Sequence, residues 1–361
     1  MRSRPVRTAA VTAAAAAVLL MSGCVLPSPP PPVTTRQPQQ PPSQPSQPVP
    51  SSGAPDIEVV PVEPDEPITL TDETDADTGE LYAGSDGETV DGFFPDAALD
   101  LVLEPTRGAA QVAPGIALPV TDEGDELLAG TEPTGDGNLL LSTVGRLLLG
   151  TESGDYTCSG TVINSESGLV VITAAHCVFD DETRDYYDRI SFEPGYERGD
   201  APFGTWVAED WWVPEQYLEA NDRWLDGADD DGWMGFDFGF IRFAPQDGRT
   251  LEDVVGGQGV SFTAETNGVV IAGYPGNDPF DAEVLRYCAD DELNYGAGGD
   301  ANYGADCVMG DGASGSGFVS NLDPETGAGH ITAVYSNGGE TGAYGPPLGV
   351  TAHNGLLSLG G

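Results

Sequence analysis

Asp311-Gly312-Ala313-Ser314-Gly315-Ser316-Gly317 sets one serine among glycines in the pattern Gly-x-Ser-Gly-x-Gly. A nucleophilic hydroxyl needs a turn this tight. The backbone must throw the side chain into a cleft and aim neighbouring N–H groups at one spot, and glycine, lacking Cβ, permits that. Taken alone the pattern is weak, because the chain holds 49 Gly and most such matches are ordinary turns. Its weight comes from what lies upstream. Val171-Ile172-Thr173-Ala174-Ala175-His176-Cys177 is an apolar, strand-like run that delivers a histidine between small residues and a cysteine. The chain has only three His, and His330 and His353 have no such setting. A serine hydroxyl is inert until a base takes its proton. Asp237, in Gly235-Phe236-Asp237-Phe238-Gly239-Phe240-Ile241-Arg242-Phe243, supplies the third group. A carboxylate is costly to bury in so apolar a run unless it is hydrogen-bonded, and orienting an imidazole is a sufficient reason to keep it there.

Thr-Ala-Ala-His-Cys, Asp-Phe-Gly-Phe and Gly-Ala-Ser-Gly-Ser-Gly, in the order His, Asp, Ser, resemble a trypsin-like serine peptidase. The nearer likeness is to the secreted bacterial branch that includes glutamyl endopeptidases. Cys158-Ser159-Gly160-Thr161-Val162, Gly273-Tyr274-Pro275 and the apolar run Ile331 to Tyr335 fall where that family has matching segments. The likeness covers roughly residues 138–361 and none of the first 137. It implies a triad of His176, Asp237 and Ser314, with the backbone N–H groups of Gly312 and Ser314 as the oxyanion hole. Ala313 stands where trypsin proper has an aspartate that pairs with a new N-terminus, so activation by that route is not expected.

Composition gives the rest of the organisation. Residues 1–24 read as a lipoprotein-type signal: Arg2, Arg4 and Arg7, an alanine-rich run too short to span a bilayer, then Leu20-Met21-Ser22-Gly23-Cys24. Cys24 is the expected lipidation site, although Met21 departs from the usual aliphatic residue; an ordinary secretory signal is the plainer alternative. The expected location is extracellular, anchored to the bacterial membrane only through Cys24. Residues 25–67, rich in Pro, Gln and Ser, read as an extended linker. Residues 68–137 are acidic and thinly apolar, as an unfolded stretch or a propeptide would be, with short apolar patches at Phe93-Phe94 and Leu99 to Leu103.

Residues 138–361 carry short runs of Val, Ile, Phe and Tyr punctuated by Gly, Asn and Asp, which predicts an all-β fold. The expected strands are Leu139–Leu149, Thr157–Asn164, Leu169–Thr173, Arg189–Phe192, Gly204–Ala208, Phe238–Phe243, Val269–Ala272, Val284–Cys288, Gly317–Ser320 and Ile331–Ser336. No long segment of helical period is read. The resemblance implies two six-stranded antiparallel β-barrels, about 138–250 and 251–361, with the active site in the cleft between them. Setting Cys24 aside leaves Cys158, Cys177, Cys288 and Cys307, an even number suited to two disulfides. Three connectivities are open. Pairing neighbours is the simplest, and the resemblance supports Cys158 with Cys177. Both bridges would need an oxidising compartment.

Charge excludes some partners. The 13 basic residues are all Arg, and the formal net charge is −46. Such a surface repels nucleic acid and anionic membranes. Asp226-Gly227-Ala228-Asp229-Asp230-Asp231-Gly232 invites a calcium reading, but with Gly232 as the turn glycine it lacks the acid at the first ligand position and the late Glu of an EF-hand, so a solvated loop is preferred. No metal and no cofactor is expected; the partner is a protein or peptide substrate, and the chain is taken as a monomer. By the resemblance, Val308, Met309, Tyr335 and Ser336 line the specificity pocket. No carboxylate stands where trypsin proper holds one, and no histidine where glutamyl endopeptidases bind glutamate. Cleavage after uncharged side chains is the expectation. The alternative function is a catalytically dead relative serving as a surface binding or structural module.

Overall fold

Six strands close into a barrel, each antiparallel to the next: Val144–Gly150, Asp155–Val162, Val170–Thr173, Gly239–Phe243, Trp206–Trp212 and Arg189–Pro194, which returns to the first. The structure is a computed structural model that describes residues 98–110, 128–129, 138–151, 154–226, 232–263, 267–295, 302–339 and 342–361. The signal segment with Cys24, the 25–67 linker, Phe93-Phe94 and residues 227–231 of the acidic loop lie outside the described residues. Alternation explains the ring. Along Val144–Gly150, Leu147 and Leu149 point into the core while Arg146 and Leu148 stay partly exposed. Leu147, Val162, Phe192, Phe240 and Phe243 fill one continuous apolar cluster.

The expected strand Leu139–Leu149 divides in two. The Asn138 side chain accepts from the Leu140 N–H at 2.9 Å, and the Thr143 hydroxyl donates back to the Leu139 carbonyl at 2.7 Å. These local bonds fold Leu139–Thr143 into a short helix before the strand begins. Two further helices, Glu215–Leu225 and Val350–Ser358, were not read from the sequence. The first has a legible signal: Pro214, then Glu215 in the first turn and Arg223 in the last, with Tyr217, Ala220 and Asn221 on one buried face.

The second half is mostly β but does not form a second closed six-stranded ring. One sheet runs Val102–Leu103, Gly259–Ser261, His330–Val334, Gly317–Ser320, Asn267–Gly273, Arg286–Glu292. A four-stranded sheet runs Asn294–Tyr295, Tyr303–Ala305, Gly342–Gly345, Asn337–Gly339. Val269, Ile271, Phe318 and Ala333 from the first sheet and Tyr303, Ala305 and Ala343 from the second share one cluster, so the core sits between them. Ala244 to Gln258 carries the chain across, through the helix Leu251–Val255 with its Thr250/Asp253 capping box. Buried Gln258 ties the halves: its backbone bonds Val162 and Asn164, and its amide bonds the Gly327 carbonyl and the Gly329 N–H, both at 2.9 Å. Arg146 does the same from the first barrel. It reaches Glu193 at 3.0 Å and Glu283 at 3.3 Å, with its guanidinium over the Tyr196 ring.

Residues 98–110, expected inside an unfolded or propeptide stretch, lie on this fold as a strap. Val102 pairs with Ser261 and Leu103 with Val260, and the Thr106 hydroxyl donates to Glu252 at 2.6 Å. Leu99, Leu101 and Leu103 pack on the main core. The pair Leu128–Ala129 runs parallel to Cys307–Val308. The disulfides join neighbours, Cys158 to Cys177 and Cys288 to Cys307. Among the described residues, no helix is long and apolar enough to cross a membrane.

The strap's leucines bury enough apolar surface to matter. A chain starting at residue 111 is expected to melt about 5–10 °C below one starting at residue 98, since each kcal/mol is worth roughly 2–4 °C at this size. Scanning calorimetry of both chains checks this; equal melting temperatures would show the strap to be ornamental.

Candidate active site

The strand Val170–Thr173 is buried at every position and delivers the chain to Ala174 and Ala175, which admit no solvent. Larger side chains would not fit there. A single 3-10 turn, Ala175–Cys177, then carries His176. Cys177 anchors that turn to the neighbouring strand through Cys158. The loop closed by this bridge is worth about 3 kcal/mol against the unfolded chain.

Asp237 comes directly after the 3-10 turn Gly232–Phe236 and is wholly buried. Three donors satisfy its carboxylate. The His176 backbone N–H donates to Oδ1 at 3.0 Å, His176 Nδ1 lies 2.8 Å from Oδ2, and the Ser336 hydroxyl donates to Oδ2 at 2.6 Å. A buried acceptor so placed fixes Nδ1 as the protonated nitrogen and leaves Nε2 as an acceptor. Ser336 was expected on the pocket wall; its hydroxyl instead faces the carboxylate.

The nucleophile turn is held from the first barrel by Ser159. Its N–H donates to the Ser314 carbonyl at 2.7 Å, and its hydroxyl donates to the Gly312 carbonyl at 2.9 Å while accepting from the Tyr274 N–H at 2.8 Å. The Gly276 N–H donates to the Asp311 carbonyl at 2.6 Å. With the carbonyls turned outward, no acceptor among the described residues takes the N–H of Gly312 or Ser314. Gly312 has φ of 87°, and a Cβ there would stand 2.7 Å from the Tyr274 carbonyl oxygen, so only glycine fits. Gly315 lies against Thr173, Ala174 and Ser159, leaving no room for a side chain. The Cys177 sulfur is 3.7 Å from the Ser314 carbonyl; being disulfide-bonded it has no hydrogen to donate, and the approach is a packing contact. Ser314 is thereby seated on the loop that bears His176, and both side chains keep partial access to solvent.

A second carboxylate, not singled out in the sequence, stands near the imidazole. Asp181 accepts from Tyr217 Oη at 3.1 Å and from Asn221 Nδ2 at 2.5 Å, so the unread helix Glu215–Leu225 positions it. Burial pulls the His176 pKa down, but the charge and hydrogen bond of Asp237, with a further push from Asp181, outweigh it and leave it above the ordinary value. Burial raises the Asp181 pKa, and the His176 charge and its two hydrogen bonds offset part of that rise.

The other residues expected on the pocket stand around the same turn. Met309 and Tyr335 are buried beside the nucleophile turn, and Val308 is half-buried. His330 lies 3.5 Å from Glu104 of the strap, away from the pocket walls. Cys158, Cys177 and His176 lie within reach of a common ion, but the two sulfurs are bonded to each other and are not thiolate ligands.

This arrangement has a defined pH consequence. The base must be neutral, and its folded pKa is raised, so kcat/KM should climb along an acidic limb with its midpoint above the ordinary histidine value of 6.5. Asp181→Asn removes one of the charges holding the proton on and should move that midpoint to lower pH. A pH–rate profile of both proteins checks it; an unmoved limb would detach Asp181 from the base.

No known protein-family model matches the chain, and no curated protein sequence does. Solved structures do. The protease Anisep from Arthrobacter nicotinovorans aligns with a TM-score of 0.53 and 26% identity, over 61% of this chain and 95% of that one. A thermostable serine protease, AL20, from an extremophilic microorganism aligns with a TM-score of 0.53 and 22% identity, over 62% and 98%. A Glu endopeptidase aligns with a TM-score of 0.49 and 18% identity, over 67% and 98%. The chain has the trypsin-like, chymotrypsin-type fold of bacterial serine proteases.

Proposed function

We propose that the chain is a serine endopeptidase that works through an acyl-enzyme. The observation that carries this reading is the buried Asp237 carboxylate, held 2.8 Å from His176 Nδ1. It leaves Nε2 free to accept a proton beside a serine mounted on the same loop contact. In this scheme Ser314 Oγ attacks the peptide carbonyl and its proton passes to His176 Nε2. Asp237 keeps the imidazole in the right tautomer and stabilises the imidazolium. The N–H groups of Gly312 and Ser314 receive the developing oxyanion, where preorganised donors are worth several kcal/mol. The imidazolium then protonates the leaving amine, the C–N bond breaks, and water cleaves the Ser314 ester by the reverse proton path. The side chain before the scissile bond is uncharged, because Val308, Met309 and Tyr335 offer no counter-ion.

Ser314→Ala is expected to remain folded and to lose about 10⁶ in turnover. Wild-type hydrolysis of casein by that variant would remove Ser314 from the mechanism. A fluorophosphonate probe is expected to label the wild type and not the variant; a wild type that neither labels nor hydrolyses is instead a binding module.

We place the protein outside the cell, tethered through a lipid on Cys24 and the proline-rich stretch after it. Cys24→Ala should shift it from the detergent phase to the aqueous phase in a phase-separation experiment. Wild-type protein found in the aqueous phase would remove the anchor.

A further inference from the structure

Two backbone walls meet at the nucleophile turn: Val308–Gly310, which leads into it, and Tyr335–Gly338, which runs beside it. The second is tied to the nucleophile turn at its inner end, where the Gly315 N–H donates to the Tyr335 carbonyl and the Tyr335 N–H to the Ser316 carbonyl, both at 2.8 Å. If Ser314 attacks a peptide, the side chain before the scissile bond must enter between these walls, so a role for them in substrate choice rests on the peptidase reading. The space is not open. The Tyr335 phenol lies in it, 2% exposed, with its hydroxyl near the Gly310 backbone on one wall. On the other wall, a Cβ built on Gly338 would stand 2.7 Å from the same hydroxyl. The Gly342 carbonyl would meet that Cβ first, so glycine at 338 makes room for both that carbonyl and the tyrosine. Met309 and Ala343 are wholly buried and pack with Tyr335 in the same cluster.

We infer that Tyr335 is the specificity-determining residue: its buried phenol stands between the two walls and closes the depth of the slot, so the enzyme takes peptides with Gly, Ala or Ser before the scissile bond. A longer side chain has to expel the phenol, which empties part of a packed core. Leu, Phe, Glu and Arg are excluded by volume, whatever their charge.

The test uses the whole secreted chain and peptide anilides that differ only in the residue before the scissile bond. Wild type is expected to turn over the Ala substrate at least tenfold faster, in kcat/KM, than the Leu, Phe, Glu or Arg substrates, in line with what a few methylenes are worth in a pocket. Equal or faster turnover of any of those four overturns the inference. Tyr335→Ala should raise kcat/KM for the Leu or Phe substrate relative to Ala by about tenfold or more. A folded variant with the wild-type ranking also overturns it. Should that variant not fold, the wild-type ranking still decides. p-Nitrophenyl acetate, which needs no slot, separates the two levels. A stoichiometric burst together with a large-residue preference sinks the slot and leaves the nucleophile standing. No burst and no anilide hydrolysis sinks the peptidase reading and the inference with it.

Discussion

A wholly buried carboxylate with three donors is the constraint on which the rest depends. Asp237 sits in an aromatic surrounding where an unpaired charge would cost several kcal/mol. It is stable there because donors arrive from separate parts of the chain: the N–H and Nδ1 of His176 from the first barrel, and the Ser336 hydroxyl from the second half. Satisfying one charge thus sets the tautomer of the imidazole and fixes one edge of each half against the other. The same bonds that make the carboxylate tolerable make it directional.

Ser159 plays the matching part for the nucleophile turn. Its N–H and hydroxyl hold two carbonyls of that turn, and the hydroxyl also accepts from Tyr274. The Asp311 and Ala313 carbonyls, whose peptide planes carry the Gly312 and Ser314 N–H groups, are held in turn by the N–H groups of Gly276 and Ser316. The oxyanion donors of the proposed mechanism are therefore aimed by groups that never touch substrate. The disulfide at Cys177 and the alanines at 174 and 175 serve the same end on the histidine side, keeping the base on rigid backbone.

The residues with chemistry were legible because their local patterns are rare: one histidine of three after a buried strand, one aspartate in an aromatic run, one serine in a glycine turn. The first barrel's strands were legible as short runs of Val, Ile, Phe and Tyr set between Gly, Asn and Asp. What escaped depended on distance in space. The helical turn at Leu139–Thr143 arises from one Asn138 cap that overrides an apolar run. The second half's two sheets arise from how Tyr303–Ala305 and Gly342–Gly345 pair, and period alone does not specify a partner. Asp181 looked like one more acid in an acidic chain until Tyr217 and Asn221 were seen to hold it. Tyr335 was named as a pocket residue, but that its hydroxyl stands against Gly338 is information held only in three dimensions.

The strap has a consequence for how the molecule behaves among its own copies. Val102–Leu103 occupies the outer side of Gly259–Ser261, which would otherwise end the sheet with a row of unpaired N–H and C=O groups. Such an edge is a template for another chain's strand. Residues 98–110 thus act as a guard that keeps a crowded population of these molecules from zipping together. Any trimming of the N-terminal region that stops short of residue 98 leaves the guard in place, and any that passes it lays the edge of Gly259–Ser261 open.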